Sequence, residues 1–193
     1  MNKLLIVGHP QSGYQDVERQ LGAWGMQSAQ PSRREGFSPE QVTQTLCKAH
    51  GAKSVRDLQS AKEVSQIEPT PLWQGVALDL LLGNMDQKFW GWADPQAVHL
   101  MNYWRDVDPE LAFVLVYDAP RAALTRSVGD HGASLTNKAL TEGFRNWVAY
   151  NEALLHFYNR NRQRCVLVHG QQVSEKPGEF LKLLCTYVDV PAS

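Results

Sequence analysis

The residues with the clearest chemical potential lie at the end of the first apolar run, where Gly8-His9-Pro10-Gln11-Ser12-Gly13 leads into an amphipathic stretch. Gly8 and Gly13 stand at the Gly-x-x-x-x-Gly spacing of a phosphate-binding loop. A loop between a strand and a helix presents backbone N–H groups and the positive end of a helix dipole to an anion. A nucleoside-triphosphatase would follow the second glycine with lysine and serine or threonine, whereas this chain has Tyr14 and Gln15. Without that lysine and a magnesium-binding hydroxyl, ATP or GTP hydrolysis is excluded as the expected chemistry. The spacing alone fits a tight turn with no ligand equally well. His9 reads either as a donor to an anion or as an exposed turn residue. His99, on a helix with Val98, Met101 and Trp104, reads as a general base or as a packing histidine. Asp16 and Glu18 fall in a first helical turn, where acids usually compensate the dipole.

These residues need elements to hold them. Lys3 to Gly8 is a short β-rich apolar run and predicts a buried strand. Tyr14, Val17, Leu21 and Trp24 recur at helical spacing over residues 13–24. Residues 27–37 read as a loop carrying Arg33 and Arg34. Ser38-Pro39-Glu40-Gln41 supplies an N-cap, a proline at the first helical position and a capping-box partner, for a helix ending near Gly51. Thr70-Pro71 opens another helix that Gly83-Asn84 stops. Phe89 to Trp92 is a strand candidate, and Asp94-Pro95 starts a helix through Trp104. Leu111 to Tyr117 is the clearest buried strand, followed by a helix start over residues 120–127. Residues 136–160 form a long amphipathic helix whose apolar side is expected to carry Leu140, Phe144, Trp147, Leu154, Leu155 and Tyr158. Cys165 to His169 is the last strand, and residues 175–188 the last helix. Strands separated by helices predict an α/β fold, a three-layer parallel sheet covered on both faces. The expectation is one domain over residues 1–193, with Trp73, Trp90, Trp92, Tyr103 and Trp104 mostly in its core.

Composition removes several function classes. The chain has 193 residues, 43% hydrophobic and 20% charged, with a formal net charge of −1. That balance supplies no general field for nucleic acid or an anionic membrane. Arg160, Arg162 and Arg164 close a helical pattern, where cations suit the negative helix end. Cys47, Cys165 and Cys185 are too few and too far apart for a disulfide framework, and no Cys/His spacing suits zinc. No apolar run is long enough to span a membrane. A cytoplasmic protein is therefore expected, with no nucleic-acid partner.

Four segments resemble one known family. Pro10-Gln11-Ser12-Gly13 looks like the 5′-phosphosulfate loop of the sulfotransferases, which usually reads Pro-Lys-Ser-Gly-Thr-Thr or His-Arg-Ser-Gly-Thr-Ser. Trp90-Gly91-Trp92-Ala93-Asp94-Pro95-Gln96 resembles the Trp-x-x-Lys-Asp-Pro-Arg segment of bacterial members that modify carbohydrates. Residues 109–120, with Phe113, Tyr117, Asp118 and Pro120, are similar to the family's strand into the 3′-phosphate site. Trp147, Tyr150 and Asn151 resemble its Trp-x-x-x-Asn pattern. The resemblance implies a P-loop, sulfotransferase-like fold and 3′-phosphoadenosine 5′-phosphosulfate as co-substrate, with no further cofactor or metal required. It also implies a carbohydrate or other small hydroxyl acceptor. The implied donor-binding positions are Pro10, Gln11, Ser12, Gly13, Tyr14, Gln15, Tyr117 and either Thr125 or Ser127.

The departures share one direction. The loop's basic residue is Gln11, the following hydroxyl residues are Tyr14 and Gln15, and the lysine and arginine flanking Asp-Pro are Ala93 and Gln96. The arginine that would hold the 3′-phosphate is Tyr117. Arg121 and Arg126 are the residues that could substitute. Weak or lost transfer is therefore expected; the alternative is a non-catalytic protein that binds a protein partner or ligand on the same scaffold.

Overall fold

The computed structural model describes residues 2–122, 125 and 136–188. Its centre is one parallel sheet of β1 (Lys3–Gly8), β2 (Gln27–Ser28), β3 (Trp90–Ala93), β4 (Leu111–Tyr117) and β5 (Cys165–His169), in the order β2-β3-β1-β4-β5. Leu4 to Val7 are fully buried because β1 lies between β3 and β4 in the middle of the sheet. Successive side chains of a strand point to opposite faces. Leu4 and Ile6 accordingly enter one core and Leu5 and Val7 the other.

The first core is closed by α1 (Tyr14–Ala23), α6 (Gly170–Glu175) and α7 (Pro177–Leu184), through Val17, Leu21, Val173, Phe180 and Leu184. The second lies under α2 (Pro39–Ala49), α3 (Pro71–Gly83), α4 (Met101–Val107) and α5 (Asn137–Arg160). Val42, Leu46, Leu80, Trp104, Tyr150 and Leu154 fill it. The result is the three-layer α/β arrangement expected from alternating strands and helices. All three cysteines are free thiols.

Several elements differ from the sequence expectation. The buried side of α5 carries Asn146, Ala149, Tyr150, Ala153, Leu154 and Phe157, whereas Phe144 and Leu155 are nearly half exposed. Hydropathy favoured the wrong stripe because Asn146, a polar residue, belongs to the buried one. The expected helix over residues 175–188 is shorter, Pro177–Leu184, and a separate helix not expected from the sequence, Gly170–Glu175, precedes it; Pro177 lacks an N–H, and Lys176 before it is forced out of helical geometry at φ −133°. Residues 95–104 are divided into a 3₁₀ segment Pro95–His99 and the start of α4, with Leu100 between them. The two-residue β2 lies inside the expected loop. Residues 120–122 and 125 are helical as expected, while Arg126 and Ser127 lie outside the described residues.

The capping box of α2 is formed. Ser38 Oγ accepts from the Gln41 N–H at 3.3 Å, and Gln41 Oε1 accepts from the Ser38 N–H at 2.8 Å. We expect Ser38→Ala to lower stability by about 1 kcal/mol, read as a melting point some 2–4 °C lower for a chain of this size. An unchanged melting curve would show that the box adds nothing.

Candidate functional site

In an open parallel sheet, ligands bind beyond the carboxyl ends of the strands, where the strand order switches direction. Here the chain builds β2 and β3 on one side of β1, then β4 and β5 on the other, so the switch lies at the end of β1. Four strand ends meet at that edge. They deliver the His9–Gly13 loop after β1, Asp94 after β3, Tyr117 and Asp118 at the end of β4, and His169 at the end of β5.

The loop is tight. The Ser12 N–H donates to the His9 carbonyl at 2.7 Å, and Gly13 takes φ 74°, which only glycine adopts freely. A Cβ on Gly8 would overlap the Ser12 hydroxyl and lie 2.9 Å from the Val116 carbonyl. The backbone N–H groups of Gly13, Tyr14 and Gln15 have no backbone acceptor among the described residues, as first-turn amides of a helix do not. These are the amides that the expected loop would present to an anion, and a ligand-free tight turn would leave them in the same state.

His9 is buried and holds this loop from behind. Its Nδ1 accepts from the Gln11 N–H at 3.1 Å, and its Nε2 lies 2.9 Å from Asn146 Oδ1. The Asn146 amide donates to the carbonyls of Val55, at 2.8 Å, and Leu58, at 3.0 Å. Both Asn146 hydrogens are used, so its oxygen must accept and His9 Nε2 must carry the proton. The ring is thereby fixed in its neutral Nε2–H form. Burial lowers its pKa, the Asn146 bond opposes that, and the positive field of Arg56 lowers it further. His9 contributes geometry to the cradle and no charge.

Carboxylates surround the other side of the loop. Asp94 is buried; its Oδ1 accepts from the Gln96 N–H at 2.8 Å. Burial pushes its pKa up to about 6, with Glu40 adding to the rise and the Thr43 hydroxyl and the Gln96 and Ala97 amides opposing it. Glu18 is also raised, first by burial and then by Glu40, against the backbone N–H of Ala93. The half-buried Tyr14 feels burial first and then Asp94, and its hydroxyl is raised as well. Asp118 is fully buried, accepts from the Ala119 N–H at 2.7 Å, and has Oδ1 3.4 Å from His169 Nε2. Tyr117 lies edge-on to the His169 ring at 5.1 Å.

The nearby cations are mostly engaged or turned outward. Arg19 pairs with Asp16 at 2.8 Å on the exposed side of α1, and Arg121 is exposed. Arg33 pairs with Asp86 at 3.4 Å, while the Arg34 backbone N–H donates to Asp79. Arg56 is exposed, and its positive field reaches His9.

The structure thus brings together Pro10, Gln11, Ser12, Gly13, Tyr14 and Gln15, with Tyr117 at the neighbouring strand end. The Thr125 hydroxyl donates to the Arg121 carbonyl at 2.9 Å within its helical turn. His99 is buried elsewhere: Nδ1 accepts from the Ser65 N–H at 2.9 Å, and Nε2 donates to the Lys53 carbonyl at 3.0 Å. Its ring has no lone pair left to take a substrate proton, and it pins the 53–65 segment instead. Asn146 was not singled out from the sequence. The signal was an asparagine in phase with Tyr150, Ala153 and Phe157.

Compared with models of known protein families, the sequence matches none, and no curated protein matches it. Solved structures do. The sulfotransferase domain of the curacin biosynthetic pathway is 14% identical, with a TM-score of 0.59 over all of this chain and 75% of that one. The sulfotransferase domain of the Synechococcus PCC 7002 olefin synthase is 13% identical, with a TM-score of 0.61 over 98% of this chain and 74% of that one. Sulfotransferase STF1 of Mycobacterium tuberculosis is 12% identical, with a TM-score of 0.54 over 98% and 68%.

The buried titratable groups set a testable pH response. His9 and His99 have lowered folded pKa values, so their contribution to stability is present above about 6.5 and is lost as pH falls below it. Asp94 is raised from 3.8 to about 6, so its contribution grows as pH falls through that window. The two opposing slopes flatten the wild-type profile. We expect Asp94→Asn, which keeps the cap oxygen, to lose melting temperature more steeply than wild type between pH 6.5 and 5. Parallel melting profiles would refute this assignment.

Proposed function

We propose, from the premise that this chain has the sulfotransferase fold, that it is a degenerate relative, one domain over residues 1–193. Its phosphate loop binds the usual donor weakly and no longer supports efficient sulfuryl transfer. On this reading the edge is a ligand- or partner-binding site, and any residual transfer runs from 3′-phosphoadenosine 5′-phosphosulfate to a carbohydrate or other small hydroxyl.

The observation that carries this reading is the set of side chains on an intact amide cradle. They are a neutral, doubly held His9, the uncharged Gln11, Tyr14 and Tyr117, and the carboxyl groups of Asp94 and Glu18. These residues do not fit a donor bearing several phosphate and sulfate charges. Charge-assisted hydrogen bonds contribute roughly 1.5–3 kcal/mol each. Losing about four removes on the order of 6–12 kcal/mol before non-additivity, against about 8 kcal/mol for micromolar binding. Sulfuryl transfer also builds negative charge on the leaving bridging oxygen, where Gln11 offers only a dipole.

A transferase with rearranged contacts is the second reading, and one observation favours it. Arg56, a cation outside the usual motif, stands between Val55 and Leu58, whose carbonyls are tied through Asn146 to His9.

Calorimetric titration with 3′-phosphoadenosine 5′-phosphate separates the two. We expect an affinity no better than about millimolar, or on the order of 4 kcal/mol; a micromolar dissociation constant would sink the degenerate-site reading. Restoring charge should act in the other direction. The double variant Gln11→Lys, Tyr117→Arg is expected to bind at least about tenfold tighter, since one recovered charged bond exceeds 1.4 kcal/mol. No gain would mean that the cradle is limited by something other than its lost cations.

A further inference from the structure

The outer face of α3 is apolar. Its thirteen residues, Pro-Leu-Trp-Gln-Gly-Val-Ala-Leu-Asp-Leu-Leu-Leu-Gly, contain a single charged side chain. That one, Asp79, is buried and accepts from the Arg34 N–H at 2.8 Å. The inner side packs Ala77 and Leu80 into the core. Outward stand Leu72 at 76% exposure, Leu78 at 43%, Leu82 at 50% and, just past the cap, Met85 at 69%. Gly75 lies among them, and a Cβ built on it meets nothing within 4 Å. Contiguous exposed apolar surface of this kind marks an interaction site.

We propose that this face pairs with the same face of a second copy of the chain, with the two α3 helices antiparallel about a two-fold axis. The first reason is register. An axis midway between Leu78 and Asp79 places Leu72 of each copy level with Met85 of the other, and Leu82 level with Gly75. A large exposed side chain thus meets an open notch at both ends, so the stripe is complementary to itself, as a two-fold interface must be.

Charge is the second reason. Two of the flanking charges, Arg33 and Asp86, pair with each other, and α3 itself presents no exposed charge to a second copy. A strongly acidic or basic partner would find no counter-charge on the stripe. A lipid surface would need basic residues on the helix to anchor it, and α3 has none.

Area sets the strength. The four outward side chains expose on the order of 400 Å² per copy, about half of the roughly 800 Å² each partner gives to a standard interface. Rim residues add to this, and the dimer is a weak, reversible one.

Sedimentation velocity of the full chain tests it over roughly 5–500 µM, the range suited to an interface this small. We expect the weight-average mass to rise toward twice the monomer. The variant Leu78→Glu, Leu82→Glu should stay monomeric with an unchanged circular dichroism spectrum. A wild type that stays monomeric throughout would overturn the proposal, whether or not it binds phosphatidylcholine vesicles. So would a folded double variant that still dimerises.

Crosslinking tests the register. In a Cys185→Ser background, Gly75→Cys with Leu82→Cys should give a disulfide-linked dimer. Gly75→Cys alone should not, because its two copies lie about 10 Å apart along the axis at 1.5 Å per residue, beyond disulfide reach. Equal crosslinking by the single variant would refute the antiparallel register.

Discussion

The hydrogen bond between His9 and Asn146 is the constraint on which the edge of this molecule depends. It ties the loop after β1 to the middle of α5, and through the Asn146 amide to the carbonyls of Val55 and Leu58. Each of these groups is buried, so a broken link would leave a polar atom without water. Three segments far apart in sequence therefore hold one another in place. The arrangement is rigid because every donor and acceptor in it is assigned. It is also electrically silent, because a second proton on His9 would displace the Gln11 N–H.

That silence decides what the loop can do. A backbone cradle is independent of sequence once the glycines allow it, and it offers an anion only the partial charges of a few amides. The rest of the grip must come from side chains. Here the nearest ones oppose an anion: Asp94 sits in a site so desolvated that its pKa reaches about 6, a cost of about 3 kcal/mol to its charged form. A multiply charged anion brought beside it would raise that cost. The loop thus combines free first-turn amides with carboxyl groups at the neighbouring strand end and on α1.

Much of this was legible in the sequence because it rests on local rules. The strands β1, β4 and β5 were predicted at their observed bounds, since a fully buried strand is an unbroken apolar run. The helix starts at Ser38-Pro39 and Thr70-Pro71 were fixed by proline chemistry. What stayed hidden depended on tertiary partners. Asn146 carried no local signal, since its role depends on acceptors at Val55 and Leu58 far away in the chain. His99 could be read as a base or as a packing residue until two backbone groups from a distant loop occupied both its nitrogens. The start at Pro177 was readable from the proline, whereas α6 before it, only six residues long, carried too short a pattern to be seen.

The apolar stripe of α3 follows a different logic from the edge. Nothing in the hydrogen-bond relay behind the loop requires Leu72, Leu78, Leu82 or Met85 to be exposed, and nothing on the stripe contributes to the cradle. A helix that is apolar on every side is expected where both of its faces are covered. In α3 the inner face enters the core through Ala77 and Leu80, while Leu72, Leu78 and Leu82 stay exposed among the described residues. The edge of the sheet and the outer face of α3 can therefore change independently: a substitution in one leaves the hydrogen bonds and packing of the other in place.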